Sequence, residues 1–218
     1  LANLNQLGRT TLRSDAGFQA QLQLLNKTQD YDALFAESLE KRNVVLGYYF
    51  TSDRQKHTSG KLPNPVLTKA DMQGRDSHIT HWDGYGASID AITRAASAAG
   101  FFNAIADADG IVRATPLLAS FENQYYESFA LALFRVYQGL PQSSVKFLND
   151  SAISALQISL NDKVQSIHVD EKLSVLIPYR GFGGAAGGTY RYISAIDVLS
   201  KKLSENDLKD KIVLIGST

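Results

Sequence analysis

Two continuous apolar runs constrain this chain more than any other feature: "NVVLGYYF" at 43–50 and "KIVLIGST" at 211–218. A strand that is apolar at successive positions is buried on both faces, so the fold has to lay helices or loops on either side of a sheet. The sequence supplies such helices. Phe18, Leu22 and Leu25 recur at helical spacing, and Asp30 is placed to cap a helix carrying Tyr31, Leu34, Phe35 and Leu39 that feeds the first run. Ile89, Ile92 and Ala96 form one face of another helix, with Asp90 and Arg94 spaced to pair at i, i+4 and Gly100 read as its C-terminal cap. "ESFALALFRVYQG" is apolar nearly all round, with Phe129, Leu133 and Tyr137 on one face and Ala130 and Phe134 beside them. It predicts a buried helix ended by Gly139 and Pro141.

Loops and strands fill the remainder. Asp107-Ala108-Asp109-Gly110 lies between strand-like "FFNAIA" and "IVRATPLL", which predicts a hairpin turn. Asn161-Asp162-Lys163 predicts a second hairpin between "ISALQISL" and "SIHVD", followed by a strand in "VLIPYR" with Pro178 near its end. Ser194 and Asp197 are spaced as a capping box for a helix whose Ile196, Leu199 and Leu203 point one way. Residues 51–83, polar and broken by Gly60, Pro63, Pro65 and Gly74, read as a long excursion outside the core. The order implies an α/β fold, a mixed sheet with helices packed on it, in a single domain over 1–218. A polar start and a buried-strand signal that stops three residues after Ile215 predict a piece trimmed at both ends.

Composition removes several function classes. At 218 residues and 44% hydrophobic content there is material for one substantial core. Twenty-two basic and 22 acidic residues cancel and are scattered, so neither a nucleic acid nor an anionic membrane surface has an electrostatic footprint here. The absence of cysteine excludes disulfides, thiolate metal sites and a cysteine nucleophile. No uncharged apolar run approaches the roughly 18 residues of a membrane span.

The candidate chemical motifs fail on context. An EF-hand loop counted from Asp107 would need ligands at Ile111 and Leu118, which excludes calcium by that route. Asp107 and Asp109 as an acid and base pair remain secondary to the turn reading. Gly181, Gly183 and Ala186 match G-x-G-x-x-A, yet no helix opens there and no ribose-binding acid follows, so the stretch reads as a loop and no cofactor is expected. "DSHITHWD" gathers Asp76, His78, His81 and Asp83, but without a third clear ligand it reads as a polar loop rather than a zinc site. Ser143 and Lys146 spell S-x-x-K without its partner motifs, and neither a Walker loop nor a G-x-S-x-G elbow occurs. No catalytic residue is assigned.

Three blocks carry a resemblance: "DYDALFAESLEKRNVVLGYYF"; "GFFNAIADADGIVRATPLL" followed by "YYESFALALFRVYQG"; and "LIPYRGFGG" through "YRYISAIDVLSKKLSENDLKDKIVLIGST". In this order they resemble the second class of CHASE domains, with D-x-D-G-x-x-R and I-S-A-x-D-V-L the specific pair of motifs, and the likeness is strongest over 30–218. It implies a sensory domain outside the cytoplasmic membrane of a bacterial receptor. In that family an N-terminal transmembrane helix precedes the domain. Further helices lead to a cytoplasmic adenylate/guanylate cyclase, histidine kinase, serine/threonine kinase or diguanylate cyclase. The stretch "YYFTSDRQKHTSGKLPNPVL" most resembles the cyclase-linked members. The family's first strand-helix block and the segment after I-G-x-T are missing from this chain, as a trimmed piece would show.

The family supplies no transferable ligand residues. From the sequence itself, Arg113, Tyr179, Arg180 and Arg191 near the glycine loop are the candidate binding residues, suited to a carboxylate or phosphate. The alternative is that Arg180 and Arg191 make ordinary salt bridges while Arg113 is solvated. The expected partner is a small-molecule or protein stimulus, with a homodimer in the full receptor; a ligand-free dimerisation and relay module is the competing reading.

Overall fold

The computed structural model describes residues 2–76, 78–148, 152–182 and 188–216. They fall into two compact units, Leu1–Ile177 and Pro178–Thr218. The first unit opens with three helices, α1 (Ala2–Arg9), α2 (Ala16–Gln29) and α3 (Tyr31–Leu39), followed by strand β1 (Val45–Thr51). Next come β2 (Thr58–Ser59), β3 (Leu67–Thr68), α4 (Lys69–Met72), β4 (Gly84–Gly86), α5 (Asp90–Ala95) and β5 (Ala98–Phe101). The chain continues through β6 (Ala114–Pro116), β7 (Leu118–Phe121), β8 (Gln124–Glu127), α6 (Phe129–Tyr137), β9 (Gln142–Phe147), β10 (Ile153–Leu160), β11 (Lys163–His168) and β12 (Ser174–Leu176).

The expected mixed sheet is present. Its strand order is β2-β4-β1-β5, with β1 parallel to β5 and antiparallel to β4. Asp15 and Asp30 start α2 and α3 by accepting hydrogen bonds from the Phe18 and Ala33 backbone N–H groups, which fixes how α3 delivers the chain to β1. β1 itself alternates: Tyr48 and Phe50 are buried while Tyr49 is exposed. The apolar run is therefore covered more fully on one face than its composition implied. Phe50 sits in an aromatic cluster with ring centroids 5.3 Å from Tyr48, 5.6 Å from Phe101 and 6.1 Å from Phe121. β5 ends at Phe101, but the side chain of Asn103 continues the pairing by accepting from Phe50 N–H at 2.8 Å and donating to Phe50 C=O at 2.9 Å.

Three smaller sheets complete this unit: β3-β8-β7, β11-β10-β9 and β12-β6. A second core, built on Met72, Leu118, Tyr125, Leu131, Leu156 and Leu173, lies beneath them. The predicted hairpin at Asn161-Asp162 forms, with Leu160 opposite Lys163 and both turn residues at positive φ, as a type I′ turn requires.

Several expectations are corrected. The segment 51–83 is no mere excursion, because it contributes β2, β3 and α4 and buries Leu67, Met72 and Ile79. Gly100 does not cap α5, which ends at Ala95; it lies in β5, where a Cβ would stand 2.5 Å from the Phe129 backbone. Close approach of α6 to the sheet explains this glycine. On α6 the buried residues are Leu131, Ala132 and Val136, whereas Tyr137 is 73% exposed, so the inward face is offset from the predicted one.

The second unit, taken by itself, holds α7 (Ala195–Leu199) and α8 (Glu205–Leu208). Ser194 precedes α7 without the predicted side-chain cap, while Ser204 and Asp207 form a capping box one helix later. α7 stops before Leu203. The apolar run Ile212–Ile215 is exposed, Ile215 to 97%, and has no strand assignment. A strand exists only where a neighbour accepts and donates its ladder bonds, and the described residues of this unit include none.

Candidate functional site

The aspartate loop is a turn, and it holds one of the predicted binding residues. Gly110 N–H donates to Asp107 C=O at 2.8 Å and Asp107 N–H to Ile111 C=O at 2.9 Å, with Gly110 at φ +81° where a side chain would be strained. The flanking strands nevertheless do not pair with each other. β5 runs beside β1 and β6 beside β12, so the predicted hairpin is corrected to a turn linking two sheets. Arg113 closes it: Nη1 donates to Asp107 at 2.8 Å and to Asp109 at 2.9 Å, and Nη2 donates to Asp109 at 2.7 Å. The Arg113 guanidinium holds the Asp109 carboxyl below its ordinary range. An anionic ligand here would have to displace two carboxylates.

Tyr179, Arg180 and Arg191 belong to the second unit. Arg191 Nη1 pairs with Asp207 at 2.5 Å and, as the largest influence, holds that carboxyl well below the usual carboxylate range. The Arg180 carbonyl accepts from Thr189 Oγ1 at 2.5 Å, and Tyr179 is 69% exposed. Gly183 and Ala186, the rest of the dinucleotide-like match, lie outside the described residues.

The other sequence motifs are used structurally. Tyr125 donates its phenolic proton to Asp76, Trp82 stacks on Phe50, and His81 lies 3.9 Å from Asp83. These bonds strap the 76–83 segment to the core. Among the described residues no group of three His, Asp or Glu side chains is gathered to hold a metal. Ser143 and Lys146 stand at odd spacing on β9, where Ser143 faces inward and Lys146 is exposed. The S-x-x-K pair is thereby split between opposite faces.

An open groove of about 900 Å³ lies in the first unit. Its walls are the 61–67 segment and the region from α5 to β5; Glu127, Arg135 and Ser143 also line it. Ser128 creates this arrangement by ending β8 and capping α6, its hydroxyl accepting from Leu131 N–H. That turn places Glu127 at the end of a strand and Arg135 on the helix that follows. Arg135 Nη1 donates to Glu127 Oε1 at 2.7 Å, and Arg135 Nε donates to Pro141 C=O at 3.0 Å. The side chains are 6% and 12% exposed for Glu127 and Arg135.

Glu127 Oε2 and Ser143 Oγ are buried without a hydrogen-bond partner among the described residues. Burial raises the Glu127 pKa, and the attraction of Arg135 only partly opposes it. The buried Tyr48 phenol is raised as well, by its own burial first and by the neighbouring Tyr126 and Glu127 after it. The groove thus sets an acceptor, Glu127, and a hydroxyl, Ser143, among its lining residues, suited to a polar group. Sequence reasoning missed the pair of Glu127 and Arg135, although "ESFALALFRVYQG" contains one acid and one base in an otherwise apolar stretch. That lone charge pair was the available signal.

Comparison with protein families gives a match to the CHASE2 domain over residues 2–218. No curated protein and no solved structure matches the chain.

Proposed function

The chain belongs to the CHASE2 family of extracytoplasmic sensory domains of bacterial receptors, and we propose that it controls a cytoplasmic adenylate/guanylate cyclase through membrane-spanning helices that flank it. The match across 2–218 supports the sensory part of this reading. The likeness of residues 48–67 to cyclase-linked members favours that output over a histidine kinase or a diguanylate cyclase. No helix among the described residues is long and apolar enough to cross a membrane.

Control across a membrane requires an element whose two states bind a stimulus differently. The groove around Glu127 and Arg135 supports ligand control: it joins the end of β8 to α6, and α6 lies against β5 and β1. Arg113 in the first unit and, separately, Tyr179, Arg180 and Arg191 in the second remain proposed contacts for an anionic stimulus. The exposed apolar side chains of α3, Tyr31, Leu34 and Phe35, favour a different reading, in which two copies pack together and relay force without a ligand.

The test is nucleotide production by membranes carrying the full-length receptor. Cyclic AMP or cyclic GMP formed from the triphosphate, with a rate altered by Glu127→Gln, is the expected result. Cyclic di-GMP or histidine phosphorylation in its place rejects the cyclase output, and a rate indifferent to groove substitutions shifts control to the α3 surface.

A further inference from the structure

Two residues that line the groove keep a buried side-chain polar atom unpaired among the described residues, a condition that calls for an explanation wherever it occurs. The atoms are Glu127 Oε2 and Ser143 Oγ. Tyr48 OH, close enough to feel the Glu127 charge, is in the same condition. A carboxylate oxygen accepts only, whereas a serine hydroxyl can donate or accept. A group that donates to one and accepts from the other answers both, and a ligand hydroxyl is the simplest such group.

Charge narrows the choice further. The groove is lined by three acids, Asp71, Asp90 and Glu127, and three bases, Lys61, Arg94 and Arg135. Asp90 is held by Arg94 at 2.9 Å, Glu127 by Arg135 at 2.7 Å, and Asp71 accepts from the Thr68 backbone and hydroxyl at 2.7 Å. An amine brought to Glu127 would set a second cation beside Arg135, and an acid would set a second anion beside Glu127. Both would be desolvated against a like charge. A neutral molecule meets neither penalty. Pro63, Pro65 and Leu140 also line the groove and offer apolar surface to the carbon face of a ring. The volume of about 900 Å³ falls within the range of small-molecule sites, about 300–1,000 Å³.

We propose that this groove binds a neutral polyhydroxylated molecule of sugar or cyclitol size, with a ligand hydroxyl donating to Glu127 Oε2 and a ligand oxygen accepting from Ser143 Oγ. The proposal rests on the sensory reading and supplies its ligand class.

Calorimetric titration of the 218-residue chain with myo-inositol, glucose and trehalose, beside putrescine and succinate as charged probes, tests it. At least one polyol is expected to bind. Ser143→Ala, which shortens a side chain on β9, is expected to weaken that binding about tenfold with an unchanged circular dichroism spectrum, as loss of one buried hydrogen bond implies. Glu127→Gln, which replaces a charge-assisted bond by a neutral one, is expected to weaken it by about the same factor. Should Glu127→Gln fail to fold, Ser143→Ala decides alone. No binding of any polyol, binding unaffected in the folded variants, or preference for putrescine or succinate overturns the proposal. Since the titration involves no cyclase, a polyol that binds here yet leaves nucleotide production by the full receptor unchanged upholds the ligand class and rejects control of a cyclase through this groove.

Discussion

Arg135 holds Glu127 by a single 2.7 Å bond, Nη1 to Oε1, in a place where both side chains are almost wholly withdrawn from water. Removing one partner strands the other's charge, which is costlier than losing the bond. Arg135→Ala is expected to destabilise the protein by about 3–5 kcal/mol, read from the urea midpoint. Replacing both residues by apolar ones of similar size, Glu127→Leu with Arg135→Met, is expected to cost much less. Equal losses in the single and double variants would show that the pair's charges are not what matters.

The same pair gives the protein a pH dependence with a definite sign. Burial raises Glu127 above its ordinary value of 4.5. Just above that value the folded state holds a proton that the unfolded state has released, so stability falls as pH rises through the window up to the raised folded pKa. Unfolding midpoints of the wild type compared with Glu127→Gln should diverge over this window, the wild type losing ground toward neutral pH. A flat difference rejects the assignment.

Gly100 is where α6 presses on the sheet. An added Cβ would meet the Phe129 N and Cα at 2.5 Å, and these are backbone atoms with no side-chain freedom to yield. Gly100→Ala is expected to cost at least about 1–3 kcal/mol by overpacking, measured by chemical denaturation. A neutral result would mean that the helix is free to move away from β5.

Asp162 occupies positive φ in the β10-β11 turn, beside Asn161 in the same region. Asp162→Gly makes the favoured Asn-Gly sequence for a type I′ turn and is expected to raise the thermal midpoint, by about 0.5–1 kcal/mol of stability. A lowered midpoint would show that the Asp162 side chain contributes more than its backbone strain costs.

Asp109 accepts from Ile111 N–H at 3.1 Å while holding Arg113. Asp109→Ala should speed hydrogen exchange at the Ile111 amide, and Asp109→Asn, which keeps an acceptor, should largely restore protection. Unchanged exchange in the alanine variant would assign the turn's order to backbone bonds alone.

Local chemistry was the legible part of this sequence. Asp30 before α3 and Asn161-Asp162 between two alternating runs each act within a few residues, and there capping and turn rules have direct force. The failures were of reach. Nothing near Phe101 reveals that β5 pairs with β1 across more than fifty residues rather than with the strand after the turn, and nothing near Gly100 announces the backbone of Phe129. Residues 51–83 looked peripheral because the elements they supply are two to four residues long, below the length at which periodicity can be read. At the site, Arg113 was singled out as a free cation, while the two aspartates that claim it had been read separately as a turn. Glu127 and Arg135 passed unnoticed because their importance comes from burial, which a one-dimensional pattern reports only as two polar letters in an apolar run.

The amide of Asn103 imposes a stop on the parallel pair at the heart of the mixed sheet. By engaging both the N–H and the C=O of Phe50, it reads the edge of β1 as a peptide group would, but from a side chain at one fixed place. Shifting β5 along β1 by one residue would bring that amide opposite Tyr49, whose backbone groups point to the other side. A shift of two toward the start of β1 would set it at Tyr48 and would carry Phe102 N–H, which donates to the Tyr48 carbonyl at 3.0 Å, on to Leu46, leaving both backbone groups of Phe50 without these partners. Alignment of the two strands is therefore indexed by one side chain, much as a detent fixes the travel of a slide, in addition to the buried face of Tyr48, Phe50 and Phe101 that favours the same register.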